Sequence, residues 1–93
     1  MIKRISMWKL TDPERAGEMK EKLLSMKHKV DELLNIEVGV NESQHGSAYD
    51  IVFIGTFLDR DALRRFESDE YHKEVGSFVA SVRVDRKVVE FEC

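Results

Sequence analysis

Apolar and polar positions along this chain switch between a two-residue and a three-to-four-residue rhythm, and the switches divide it into elements. In IKRISMWKL, residues 2–10, Ile2, Arg4, Ser6, Trp8 and Leu10 share one face of a predicted strand, and Lys3, Ile5, Met7 and Lys9 share the other. Thr11-Asp12-Pro13-Glu14 then opens a helix, with Asp12 as N-cap before Pro13, or with Thr11 and Glu14 as a capping box. Ala16, Met19, Leu23, Met26 and Val30 recur by threes and fours, which predicts an amphipathic helix that loosens near His28 and ends by Leu34. Glu18 and Lys22 are spaced to pair on its outer side.

Residues 35–41 alternate again, with Ile36, Val38 and Val40 opposite Glu37, Gly39 and Asn41. A polar loop, ESQHGSA, leads to YDIVFIGTF, residues 49–57, a strand with apolar side chains on both faces. Asp59 is placed to cap the next helix, Leu58 to staple onto Leu63, and Asp61 to pair with Arg65, while Ala62, Leu63 and Phe66 form the inner face. Ser68-Asp69 ends that helix and starts another, whose stripe is Tyr71, Val75, Phe78, Val79 and Val82. RVDRKVVEFE, residues 83–92, closes the chain as a strand.

The order is β-α-β-β-α-β with the second helical segment broken in two. It predicts an α+β, ferredoxin-like fold, a four-stranded antiparallel sheet with helices on one face, in a single domain over residues 1–93. A sheet covered on one side should leave a polar second face. Here Ile5, Met7, Val52 and Ile54 fall on the face opposite Ile2, Trp8, Ile51, Phe53 and Phe57, and Val88 and Val89 point opposite ways. Apolar side chains on both faces, with helices for only one, predict a homodimer through the sheet faces.

Composition narrows the function classes. Fifteen basic and eighteen acidic residues are interspersed, for a net charge of −3, so no basic stripe points to nucleic acid. No apolar run reaches membrane-spanning length, and the N-terminal segment lacks the apolar run of a secretory leader. The lone Cys93 has no disulfide partner in the chain, which suits a reducing, cytoplasmic setting. His28 and Glu32 are spaced for a surface metal contact, but no second pair joins them, and His45 sits in the polar loop, so no metal is expected. There is no phosphate-binding glycine loop and no nucleophile motif, so no cofactor is expected either.

Six side chains remain as candidates for chemistry. His72 falls third in its helix after Asp69, at the edge of the apolar stripe. It reads either as a boundary histidine or as a polar group at the mouth of a helix–sheet pocket. Arg4 reads as a cross-strand ion pair, as a side chain reaching to solvent, or as the holder of a ligand's carboxylate, phenolate or phosphate. Tyr71 reads as a core residue with a satisfied hydroxyl or as a hydrogen-bond donor to a ligand. Trp8, Phe53 and Phe66 read as core or as pocket walls.

The segments IKRISMWKL, LLNIEVGVN with its polar loop, YDIVFIGTF, DALRRF, YHKEV and VVEFE, in that order and spacing, resemble the stress-responsive dimeric α/β-barrel (Dabb) family over essentially the whole chain. The resemblance implies a ferredoxin-like protomer and a barrel made from two sheets. It also implies a choice of roles, because the family includes stress-related proteins and a polyketide-cyclase branch, and related dimeric barrels include cofactor-independent monooxygenases. The cyclase branch carries a His on the first strand, a Tyr on the helix after the third strand, and a His near the start of the next helix. Those positions correspond to Arg4, Phe66 and His72, so only His72 is retained. Arg4 keeps its proton near neutral pH and Phe66 has no hydroxyl, so that acid/base pair is broken. The expectation is a dimer that binds a small, largely apolar molecule between sheet and helices. Arg4 and His72 supply polar contacts, with Trp8, Phe53, Phe66 and Tyr71 as walls. A cofactor-independent cyclase, isomerase or monooxygenase with His72 as acid/base is the catalytic alternative, and a stress-associated dimer without ligand is the structural one.

Overall fold

The structure, a computed structural model, describes residues 1–93. Strand β1 (Ile2–Leu10) leads into helix α1 (Ala16–Leu24), which is flanked by 3-10 turns at Pro13–Arg15 and Ser25–His28. Strands β2 (Asn35–Val40) and β3 (Ile51–Phe57) follow, then helices α2 (Arg60–Ser68) and α3 (Glu70–Val82), then strand β4 (Arg83–Glu92). The sheet order is β2-β3-β1-β4 with every neighbouring pair antiparallel, so the fold is the expected ferredoxin-like one.

Capping chemistry sets the helix starts. The Asp12 side chain accepts from the Glu14 N–H at 3.0 Å, so Asp12 is the cap. The Asp59 side chain accepts from Ala62 N–H at 2.8 Å and that of Asp69 from His72 N–H at 3.0 Å. Asp69 also donates its own N–H to the Phe66 carbonyl at 3.1 Å, so one residue ends α2 and begins α3. That junction leaves no loop in which His72 could drift.

Some surface pairings differ from those read off the spacing. Glu18 pairs with Arg15 rather than Lys22, and Asp61 with Arg64 rather than Arg65, which reaches Glu32 at 3.6 Å. The residues three apart meet because both neighbours are within reach on a helix and long side chains choose by rotamer. Leu58, expected to staple onto Leu63, is 59% exposed. Strand β3 begins at Ile51 rather than Tyr49. Asp50 instead turns its carboxylate onto the Leu10 N–H at 2.7 Å, beside the irregularity in the β1–β4 register at Lys9/Leu10.

The helix side of the sheet carries Ile2, Trp8, Leu10, Ile51, Phe53 and Phe57, all buried against α1, α2 and α3. On the other side the register lines up Ile54, Ile5 and Val89 in one row across β3, β1 and β4. Met7, Val89 and Phe91 on that side are 39%, 60% and 42% exposed. The apolar second face expected from the alternation is therefore present and uncovered in the single chain.

Candidate functional site

Between β1 and the helices lies a cavity of about 300 Å³. Arg4, Ser6 and Trp8 come to it from β1, because residues two apart on a strand share a face. Phe53 on β3 and Phe66 on α2 form one wall, with Val75 and Val79 of α3 above. Glu67, Arg83 and Arg86, all exposed, stand at its rim.

The aromatic wall is continuous. Phe53 stacks on Phe66 at 6.5 Å between centroids, Trp8 meets Phe53 edge-on at 6.4 Å, and Phe66 lies 4.1 Å from the His72 imidazole. Gly55 makes room for this arrangement. A Cβ there would lie 2.6 Å from Phe53 Cζ, so the ring occupies the space that any other residue would fill.

Arg4 faces the helices and is 9% exposed. Its Nε donates to Glu90 Oε2 at 2.8 Å and its Nη2 to Glu67 Oε2 at 2.6 Å. Glu90 is its direct partner across β1–β4, which is the cross-strand pairing. Burial works against the charge on Arg4, but the two carboxylates outweigh it and hold the guanidinium above its ordinary value. Arg4 in turn holds the Glu90 carboxyl below its usual range, with Arg60 adding to the effect. The guanidinium is thereby a clasp between β1, β4 and the end of α2.

His72 is held below its ordinary value, first by burial and then by the neighbouring Arg4 charge, against the Glu67 carbonyl and the Asp69 and Glu67 carboxylates. Its Nδ1 is buried without a hydrogen-bond partner, and so is the Trp8 Nε1. Buried polar atoms are nearly always paired, so these two orphans, on residues that line the same cavity, stand out.

The structure brings Arg4, Trp8, Phe53, Phe66 and His72 together around one space, and it leaves Tyr71 out. The Tyr71 hydroxyl lies 2.6 Å from Ser25 Oγ, and Lys29 Nζ sits 4.5 Å from the centre of its ring. Tyr71 therefore ties α3 to the turn after α1. Four polar or charged lining residues were not singled out from sequence: Ser6, Glu67, Arg83 and Arg86. Ser6 was legible, because it alternates with Arg4 and Trp8. Arg86 was not, because only the β1–β4 register sets it opposite Trp8.

The family model for the Stress Responsive A/B Barrel Domain matches residues 2–93. A search of curated proteins returns no match. Among solved structures, a dimeric ferredoxin-like protein of unknown function from Bacteroides fragilis superposes with a TM-score of 0.87 at 23% identity, over 99% of this chain and 95% of that one. A dimeric ferredoxin-like protein of unknown function from Thermobifida fusca does so with a TM-score of 0.87 at 20% identity, over 99% and 90%. A structure described as an antibiotic biosynthesis monooxygenase gives a TM-score of 0.78 at 20% identity, over 100% and 98%. At these identities the likeness is one of fold.

Proposed function

The chain belongs to the stress-responsive A/B barrel (Dabb) family, and from that premise we propose that it is a homodimer, sheet against sheet, whose protomers each bind a small, largely apolar molecule between sheet and helices. The observation that carries the binding role is the cavity itself, largely apolar-walled, with Trp8 and His72, whose Nε1 and Nδ1 have no partner in the chain, among its lining residues. A dimer built only for structure would have filled that space, since interiors are close-packed. Support for the dimer comes from the row of Ile54, Ile5 and Val89 and from the dimeric description of the Bacteroides and Thermobifida proteins. Taking such side chains fully out of water is worth about 1.5–3 kcal/mol each.

Native mass spectrometry of freshly purified protein tests both parts. The expected spectrum is twice the 10.8 kDa chain mass, with an adduct that leaves on unfolding. A monomer at micromolar concentration overturns the dimer. Binding of added apolar molecules that is unchanged by His72→Ala overturns the cavity as the site.

A second reading rests on His72 alone. An imidazole held below its ordinary pKa, with a partnerless ring nitrogen, on a residue that lines the cavity, is suited to take a proton from a bound substrate without any cofactor. It predicts turnover that His72→Gln abolishes while binding persists.

A further inference from the structure

Taking the cavity as a binding site, we propose that its ligand is an organic acid: an apolar body ending in one carboxylate, held by the Arg86 guanidinium and the Trp8 indole N–H. The charges around the cavity point to an anion. Three of its lining residues are arginines, and Arg4 alone among them is neutralised, by Glu67 and Glu90. Glu90 is shared further with Arg60. Arg83 and Arg86 form no ion pair with any carboxylate of the chain. The one side-chain hydrogen bond of the Arg86 guanidinium is a long one, donated from Nη2 to Ser6 Oγ at 3.5 Å. Partial burial, then the like charges of Arg4 and Arg83, act against the charge it carries and outweigh the pull of Glu67 and Glu90. An arriving anion relieves that repulsion.

The donors select the kind of anion. Trp8 and Arg86 are direct partners across β1–β4, which sets their Cβ atoms about 4.5–5.5 Å apart on one face. The indole is 5% exposed and its N–H has no acceptor. Both groups are donors only, so an acceptor-only partner completes them, and a carboxylate matches the planar fork of a guanidinium. Phe53, Phe66, Val75 and Val79 leave the rest of the space apolar, which suits an alkyl or aryl body rather than a sugar or a phosphate ester.

The experiment compares 4-butylbenzoate with its neutral isostere 4-butylbenzamide, by calorimetry and by the fluorescence of Trp8, the only tryptophan in the chain. The benzoate is expected to bind at least about tenfold more tightly at low salt, the scale of a charge-assisted hydrogen bond. In Arg86→Met that preference falls to about one while the benzamide affinity stays as it was. Arg86 lies exposed on an edge strand, so the variant keeps the fold, and Arg86→Lys restores part of the preference because it keeps the charge without the fork. Equal binding of the two probes to the unaltered protein overturns the carboxylate and leaves the cavity reading standing. A preference that survives Arg86→Met overturns the role of Arg86. Binding of neither probe overturns this inference and the cavity reading together.

Discussion

The Phe66 ring lies 4.1 Å from the imidazole of His72, and the two come from different helices joined only through Asp69. The ring is one of the neighbours that bury the imidazole, and burial is the first cause of its depressed pKa, with the Arg4 charge adding to it. The consequence for stability has a definite sign. Unfolded, His72 takes up a proton near pH 6.5, whereas folded it resists until lower pH. Its contribution is whole above that value and is lost progressively as pH falls from there toward the depressed one, because protons then favour the unfolded chain. Urea midpoints at about pH 7.5 and about pH 5.5 should therefore fall further apart for the native sequence than for His72→Gln. Equal differences would show that the ring is not desolvated.

The Arg4 clasp predicts a stability effect distinct from any ligand effect. Arg4→Met leaves Glu67 and Glu90 facing each other without the cation between them. The expected loss is about 1–2 kcal/mol, below the range for a fully buried pair because Glu67 is half-exposed and screened. Adding Glu67→Gln should recover part of it, and a double-mutant cycle in urea measures the coupling. A single variant as stable as the native protein would show the clasp to be idle.

Gly55 predicts a packing effect on the cavity wall. An Ala Cβ there meets Phe53 Cζ at 2.6 Å and Leu33 Cδ1 at 3.1 Å, so the ring, which packs on Trp8 and Phe66, must shift. Overpacking of this kind costs about 1–3 kcal/mol. Gly55→Ala should lower the thermal midpoint and shift the Trp8 emission, because the edge-on contact with Phe53 is lost. An unchanged emission maximum would mean that the ring yields without disturbing the wall.

Ile54 sits at the middle of the uncovered face, between Ile5 and Glu37 in the register. A carboxylate placed there is solvated in a monomer and buried without a partner in a sheet-to-sheet dimer. Ile54→Glu is expected to halve the mass found by light scattering while the far-ultraviolet circular dichroism keeps its shape. Retention of the dimer mass would move the interface elsewhere.

Much of the architecture was legible in the residues themselves. Asp12, Asp59 and Asp69 are short acidic side chains placed just before apolar stripes, and each caps the turn it precedes. The doubled apolar faces of residues 2–10 and 51–57 showed a sheet with one face too many, because strand alternation is local and strict. The candidate site was half legible. Trp8, Phe53, Phe66 and His72 belong to recognisable stripes and strands, and they meet at the cavity. Tyr71 sits nearer the centre of its stripe than His72 does, yet it turns to Ser25, because one helical step of about 100° separates neighbouring residues.

The sequence by itself determined which side chains share a face, since the two-residue and 3.6-residue periods are properties of the backbone alone. Tertiary structure decided which residues stand across from one another. Arg4 meets Glu90, and Trp8 meets Arg86, through a register between segments some eighty residues apart. That register comes from non-local hydrogen bonds and from burial of the whole sheet, and no short stretch encodes it. It chose the cross-strand ion pair among the three readings of Arg4, and left the charge at the cavity mouth to an arginine that no local pattern singles out.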